Sequence, residues 1–227
     1  KGQNRFDAGE SVIIPYLKYR GIKRIDLLIL THGDADHIGG VKAVVQRFPI
    51  GMVIRGPLPP KSGLEKDLLK VMRERKIPIY LAKPGWRWRF SPGVFLTILH
   101  PAATNGSAND ESVVFLLSIG SFHTLMTGDI SSDAEKQILA KWKLPHVQLL
   151  KVAHHGSRTS TCEEWLNAVT PRYAVISVGK SNPFGHPSPL VIQRLRAHHV
   201  AIFRTDQLGA VIFHIRKQTS WVERNSS

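Results

Sequence analysis

A layered α/β domain is the fold that this sequence of 227 residues predicts, because short apolar runs alternate along it with amphipathic helical stretches. The apolar runs are rich in Val, Ile, Leu and Phe and are bounded by Gly or Pro, which is typical of strands. Several of them follow one another directly and can pair as hairpins. Strands are expected at residues 25–31, 51–55, 77–82, 94–100, 112–119, 122–127, 147–153, 173–178, 200–204 and 209–216. Helices are expected at residues 10–20, 40–48, 63–76, 132–142, 162–169 and 188–199.

The segment 63–76 has the clearest helix start. Ser62 is followed three residues later by Glu65, as in a capping box. The apolar residues that share one face of this helix are Leu64, Leu68, Leu69 and Met72. No linker-like stretch divides the chain, so we expect one domain at 1–220 and a tail at 221–227.

The charge of the chain favours a polyanionic partner. Lys and Arg number 31 against 17 acidic residues, which gives a formal net charge of +14 at pH 7. Such an excess suits nucleic acid, anionic lipid or a phosphate-rich cell-wall polymer, although a generally basic protein has the same composition. No apolar run is long enough to span a membrane, and a single cysteine excludes an internal disulfide bond.

The stretch Trp86–Phe90 alternates aromatic and basic residues. Such a pattern suits the stacking of bases and contact with phosphates. A strand with one apolar face and one charged face has the same pattern, and we favour that interpretation.

The segment 32–37 predicts a metal site. It reads His-Gly-Asp-Ala-Asp-His and directly follows an apolar run. The strand fixes the position of the segment, and a turn lets successive side chains converge rather than alternate. A loop that only caps a helix needs one carboxylate. The candidate ligands in this segment are His32, Asp34, Asp36 and His37.

Three later segments also place ligand-type side chains at predicted strand ends. Asp129 follows the run 122–127, and a carboxylate there can bridge two cations. His154 and His155 are adjacent, so one can bind metal while the other faces substrate. His186 lies between Gly and Pro in a loop and is a candidate acid, phosphate donor or ligand. Taken alone, Asp129 is more typical of a turn or cap and the two adjacent histidines of an exposed loop, whereas the pattern around His186 fits a plain proline-rich turn equally well.

Three polar residues are candidate substrate contacts. Asn109 precedes the strand 112–119, where its amide oxygen is either a modest ligand for a hard cation or part of a turn. Ser157 follows the two histidines and is either an oxyanion contact or a helix cap. Asn182 lies in the same loop as His186.

Taken in order, these motifs resemble the metallo-β-lactamase fold, and within it the C-terminal domain of the ComEC family, the DNA-uptake channel proteins of competent bacteria. The motifs are Phe6-Asp7-Ala8-Gly9-Glu10, Thr31-His32-x-Asp34-x-Asp36-His37-x-Gly39-Gly40, Asn109-x-x-Ser112, Thr127-Gly128-Asp129, Lys151-Val152-Ala153-His154-His155-Gly156-Ser157 and Asn182-x-x-Gly185-His186-Pro187. The usual family signature is His-x-His-x-Asp-His, so Asp34 stands in the place of its second histidine.

The resemblance implies a four-layer αββα sandwich in which the strands that normally open the domain are missing from this chain. It implies two bound metal ions, with His32 and Asp34 on one ion, Asp36 and His37 on the other, and Asp129 bridging them. His154 is the expected last ligand, and His155 is the alternative.

The remaining residues receive roles by the same resemblance. The catalytic residues are expected to be Asp36, Asp129 and His186, of which His186 contacts the phosphate or protonates the leaving group. The substrate contacts are expected to be Asn109, His155, Ser157 and Asn182. A further family histidine has Asn109 at the equivalent position, and both replacements shift the ligands toward oxygen, which favours Mn²⁺ or Mg²⁺ over Zn²⁺.

The implied function is that of a metal-dependent nuclease that degrades the DNA strand not transported during natural transformation. Its partners would be DNA and the rest of the membrane channel, with this soluble domain on the extracytoplasmic side of the bacterial cytoplasmic membrane. One alternative is an esterase that acts on phosphorylcholine or another cell-wall phosphodiester, although a compact substrate needs no strong positive field. A second alternative is a non-catalytic DNA-binding module, against which the set of ligands argues.

Overall fold

The computed structural model describes residues 6–101, 107–216 and 219–224. The chain divides into two compact units, Lys1–Ala82 and Lys83–Ser227. The single domain expected at 1–220 stays a prediction. Within the described ranges, every helix falls short of the length and apolarity that crossing a bilayer requires.

A parallel three-stranded sheet forms the centre of the first unit. Its order is β1 (Ile25–Leu30), β2 (Ile50–Arg55), β3 (Ile79–Leu81). The helical elements are a π-helical turn (Gly9–Ile13), α1 (Ile14–Tyr19), α2 (Ala35–Ile38), α3 (Val41–Arg47) and α4 (Gly63–Glu74). The expected apolar face of α4 is buried at Leu68, Leu69 and Met72, in one cluster with Val45 and Val53. This burial explains why 63–74 is a helix that packs on the sheet.

The first turn of α4 packs against the segment 32–37 through the carboxylate of Glu65. The backbone N–H of Glu65 donates to Oγ of Ser62 at 3.1 Å, which confirms the expected cap. The Glu65 carboxylate accepts from the guanidinium of Arg55 at 2.8 Å and from the backbone N–H of Lys61 at 3.2 Å. A Cβ at Gly33 would lie 2.5 Å from Oε2 of Glu65, so only glycine allows the backbone to approach this carboxylate.

A seven-stranded mixed sheet dominates the second unit. Its order is β10-β9-β8-β7-β6-β5-β4. The strands are β4 (Arg87–Ser91), β5 (Val94–His100), β6 (Val114–Ile119), β7 (Phe122–Met126), β8 (Leu149–Lys151), β9 (Tyr173–Ile176) and β10 (Ala201–Arg204), and a separate hairpin joins β11 (Val211–Arg216) to β12 (Thr219–Arg224). The helices are α5 (Ser132–Lys141), α6 (Glu163–Val169), α7 (Pro189–Ala197) and α8 (Thr205–Leu208).

The connections explain the two halves of this sheet. Strands β4 to β7 pair antiparallel in succession, whereas β7 to β10 pair parallel. Parallel neighbours need a crossover, and α5, α6 and α7 provide the three crossovers. On one face of the parallel half, Leu125, Leu150 and Ala174 lie opposite one another in register and belong to one buried cluster with Trp165. The carboxyl ends of β7 and β8 meet at the same edge, which is where open α/β sheets place ligands.

The expected helices and strands are present, although their ends are shifted. Four elements were not expected, and one of them is the 3₁₀ turn Ala153–Gly156. The stretch Trp86–Phe90 lies largely in the edge strand β4, which confirms the strand interpretation. The run 147–153 ends as a strand at Lys151, because a 3₁₀ turn begins at Ala153. The other additions are α2, α8 and β12, and β12 takes up residues 221–224 of the expected tail. Residues 225–227 lie outside the described residues.

Gly40→Ala is expected to lower the free energy of unfolding by roughly 1–3 kcal/mol, the usual cost of an overlap in a packed region. A Cβ on Gly40 would overlap the backbone nitrogen of Gly9 and lie 3.0 Å from its Cα, so the turn before α1 and the start of α3 would have to separate. Gly63→Ala is the matched control, since a Cβ there meets nothing within 4 Å. Urea unfolding of both variants checks this, and equal stabilities of the two would contradict it.

Candidate functional site

The first unit holds the expected ligands of segment 32–37 in the loop after β1 and in α2. His32 is buried, with 8% of its surface exposed, and its Nε2 lies 3.6 Å from Oδ2 of Asp34. Nε2 of His37 lies 3.9 Å from Oδ2 of Asp36. The two imidazole rings are 4.1 Å apart between centroids. The segment therefore gathers two imidazoles and two carboxylates, the donors that divalent transition metals bind.

The hydroxyl of Thr31 orients both imidazoles. Its Oγ1 lies 3.2 Å from Nδ1 of His32 and 3.2 Å from Nδ1 of His37. A hydroxyl has one proton to donate, so at least one of the two rings must itself donate from Nδ1. When that ring is neutral, its Nε2 carries no proton and can bind a cation, as second-shell partners commonly arrange for histidine ligands.

The second unit places Asp129 just after β7, at the carboxyl edge of the sheet. Asp129 is 3% exposed. Its Oδ2 lies 3.1 Å from Nε2 of His155, and its Oδ1 lies 3.3 Å from Nζ of Lys151. Its backbone N–H donates to Oγ of Ser112 at 3.1 Å. A buried carboxylate is costly unless it is paired, so these contacts explain how Asp129 stays buried and available at the sheet edge.

The two histidines after β8 have an uncommon backbone. His154 has φ 47° and His155 has φ 53°, so both lie in the left-handed region that residues with a Cβ rarely adopt. Nδ1 of His155 lies 2.6 Å from the carbonyl oxygen of Ser177. Because a carbonyl only accepts, Nδ1 carries a proton, so Nε2 is the nitrogen that faces Asp129 and that binds a cation once it is unprotonated. The left-handed turn therefore points Nε2 of His155 at Asp129.

His154, the expected last ligand, lies in a different environment from His155. An open pocket of about 550 Å³ is lined by Asn109, Asp129 and His154, together with Ser107, Asp110, Ser131, Ser132, Asp133 and Thr159. The structure thus brings the candidate substrate contact Asn109 to the same pocket as Asp129. Ser157, in contrast, is buried, and its Oγ lies 3.0 Å from Oγ1 of Thr159.

The loop 182–186 holds the last two candidates. The Asn182 side chain donates from Nδ2 to the carbonyl oxygen of His186 at 2.8 Å and accepts from the backbone N–H of His186 at 2.8 Å. Asn182 therefore closes the loop and positions His186. The imidazole of His186 lies 5.7 Å from that of His154 between centroids. Burial, and then the nearby His154 and His155, lower the pKa of His186, while Asp129 raises it.

Two residues with clear contacts in the site had no role in the sequence-based interpretation. Thr31 orients two imidazoles, and Lys151 contacts Asp129 while also donating to the carbonyl oxygen of Gly128 at 2.8 Å. The available signal for Lys151 was a single charge at the end of an apolar run. Thr31 begins the motif 31–40, but its side chain suggested no role, because threonine is common in strands.

Comparisons with known proteins identify the family of this chain and relatives that are similar over most of its length. A family model described as the metallo-beta-lactamase superfamily matches residues 4–180. The chain is 32% identical over 216 residues to ComE operon protein 3 of Bacillus subtilis, covering 95% of this chain and 28% of that protein. It is 34% identical over 208 residues to Competence protein ComA of Neisseria gonorrhoeae, covering 91% of this chain and 28% of that protein. The chain therefore spans little more than a quarter of the length of these relatives.

A solved structure supports the fold alone. CmlA, a diiron beta-hydroxylase from Streptomyces venezuelae, aligns with a TM-score of 0.52 and 15% sequence identity. The alignment covers 80% of this chain and 44% of that one.

Proposed function

The chain belongs to the metallo-β-lactamase superfamily, and we propose that it is a metal-dependent nuclease that hydrolyses DNA phosphodiester bonds. In this proposal it degrades the strand that is not transported during DNA uptake, as the soluble, extracytoplasmic part of a longer bacterial membrane channel. The competence proteins that resemble it over most of its length support a role in DNA uptake. The observation that supports hydrolase activity is the presence of two clusters of His and Asp side chains. One cluster follows β1, and the other is formed by residues that follow β7 and β8.

Both clusters are proposed to supply ligands for two divalent ions. The ligands are His32, Asp34, Asp36, His37, Asp129 and one histidine of the 3₁₀ turn. The protonation of His155, with its Nδ1 proton held by Ser177, supports His155 rather than His154 as that histidine. The mixture of nitrogen and carboxylate donors fits divalent cations, so these residues are suited to the two metal ions that the family implies.

The roles of the remaining residues follow from their contacts. When bound, two divalent cations lower the pKa of water and neutralise charge on a phosphodiester. Lys151 holds one oxygen of Asp129 and so fixes the direction in which the other oxygen points. His186, held by Asn182, is proposed to donate a hydrogen bond to the phosphate and to protonate the leaving oxygen. An approaching phosphate, being anionic, would raise the pKa of His186 and favour its protonated form.

The net charge supports a polyanionic substrate. A formal charge of +14 attracts DNA without reading its sequence. Binding should then weaken steeply with salt and vary little among sequences. A compact phosphorylcholine ester gains little from such a field, which is why DNA is the preferred substrate.

The test is a titration of divalent ions on linear DNA. We expect cleavage with Mn²⁺ to exceed cleavage with Zn²⁺, because Asp34, Asp36 and Asp129 make the ligand set rich in oxygen. Phosphorylcholine esters incubated in parallel serve as the competing substrate. DNA binding without cleavage under every ion would favour a non-catalytic binding module, and cleavage with Zn²⁺ alone would contradict the expected metal preference.

A further inference from the structure

Phe184 is an exposed aromatic residue beside His186 that the proposed hydrolysis does not use. Its side chain is 78% exposed. The Phe184 ring lies 6.0 Å from the His186 imidazole between centroids, with an interplanar angle of 23°, so the two rings are stacked. Single exposed apolar side chains are common on proteins, but here the ring is aligned with a candidate phosphate contact.

The loop that carries Phe184 is held in place by hydrogen bonds. The Asn182 side chain bonds both the backbone N–H and the carbonyl oxygen of His186, which closes the five residues 182–186 into one turn. Gly185, with φ +70°, provides the left-handed residue of this turn. Phe184 lies at the tip of this turn, so its exposure results from an organised loop. Organisation of this kind reduces the entropic cost of binding a ligand.

The segment that carries Phe184 has a basic residue and no acidic one. The stretch 177–189 contains Lys180, which is exposed, and no Asp or Glu. Exposed aromatic rings together with basic residues are the combination with which proteins bind single-stranded nucleic acid. In the interior of a duplex both faces of each base are already stacked, so away from duplex ends a single ring at a loop tip stacks only on an unpaired base.

We propose that Phe184 stacks on an unpaired base of single-stranded DNA while the adjacent phosphate contacts His186. This inference rests on the proposed function and adds that the substrate is single-stranded where the protein engages it. The base and the phosphate of one nucleotide are joined through a single sugar, so a base that stacks on Phe184 brings a phosphate close to His186, whose ring centroid lies 6.0 Å from that of Phe184.

The test measures binding without hydrolysis. Wild type, Phe184→Ala, Phe184→Leu and Phe184→Trp are titrated, in a chelator and without added metal, into a single-stranded oligonucleotide that contains 2-aminopurine, whose fluorescence falls when the base stacks. Tyr19→Ala is the matched control, because Tyr19 is 86% exposed and lies on α1 in the first unit. An oligonucleotide of the same length with abasic positions keeps the phosphates and removes the bases.

We expect Phe184→Ala and Phe184→Leu to weaken binding of the single strand about tenfold or more, as loss of base stacking does elsewhere, and to abolish the fluorescence change. Phe184→Trp should retain both, and Tyr19→Ala should match wild type. The abasic oligonucleotide should bind wild type and Phe184→Ala equally. Since Phe184 is exposed, none of these substitutions opens a cavity, and circular dichroism should be unchanged.

Three results would overturn the inference. Unchanged binding by Phe184→Ala would mean that the ring does not contact DNA. An equal loss on the abasic oligonucleotide, or full retention by Phe184→Leu, would mean that no base stacks there. Because no metal is added, the proposed nuclease activity is tested separately. If the protein cleaves DNA but its binding does not depend on Phe184, only this inference is overturned. If binding depends on Phe184 but no ion supports cleavage, only the proposed nuclease activity is overturned.

Discussion

Asp129→Asn is expected to reduce metal-dependent DNA cleavage by about 10²-fold or more, the usual cost of losing a group that stabilises charge in the transition state. Asparagine keeps the size of the side chain but removes the charge, and an amide is a weak ligand for a cation. The buried environment should tolerate the change, because Lys151 still donates to the carbonyl oxygen of Gly128 and Ser112 still accepts from the backbone N–H. We therefore expect a folded protein with less bound metal.

The measurement combines metal content, circular dichroism and the cleavage rate of linear DNA. Asp67→Asn is the matched control, since Asp67 is an exposed carboxylate on α4. DNA binding should persist in both variants, because the +14 charge is spread along the chain. If the Asp129 variant kept normal turnover and two bound ions, the assignment of Asp129 as a shared ligand would be wrong.

The α/β class and the family could be predicted from the sequence because both depend on local signals. Apolar periodicity located the strands, and the order of the polar motifs at strand ends indicated the metallo-β-lactamase superfamily, which is confirmed. The cap at Ser62 was equally readable, since its two partners are three residues apart. The short helix α2 was missed because its residues, Ala35–Ile38, are the same ones that the ligand pattern occupies.

Several contacts that organise the candidate ligands could not be predicted, because they join residues that are distant in sequence. Glu65 lies against Gly33 across more than thirty residues, and the partner of Nδ1 of His155 is the backbone carbonyl of Ser177. Backbone carbonyls leave no trace in a sequence, so the protonation of a histidine ring that depends on one is invisible there. The choice between His154 and His155 as metal ligand was open for this reason.

Substitution of either histidine distinguishes His154 from His155 as the metal ligand. His155→Ala is expected to lower the affinity for Mn²⁺ by about 10²-fold or more, since loss even of a second-shell partner typically costs 10–100-fold. Nε2 of His155 lies 3.1 Å from Oδ2 of Asp129, and the carbonyl oxygen of Ser177 fixes the ring by accepting the proton of Nδ1. His154→Ala should change the affinity for Mn²⁺ little and should instead weaken the binding of DNA, because its ring lies beside that of His186.

The two alanine variants control for each other. Both positions have a positive φ, and alanine carries the same Cβ as histidine, so each substitution leaves the backbone strain in place and removes only an imidazole. Calorimetric titration of Mn²⁺ into each variant, followed by DNA binding without metal, separates a ligand from a substrate contact. If His154→Ala lost the metal and His155→Ala retained it, His154 would be the ligand, and the bond from His155 to Ser177 would serve only to hold the left-handed turn at the end of β8.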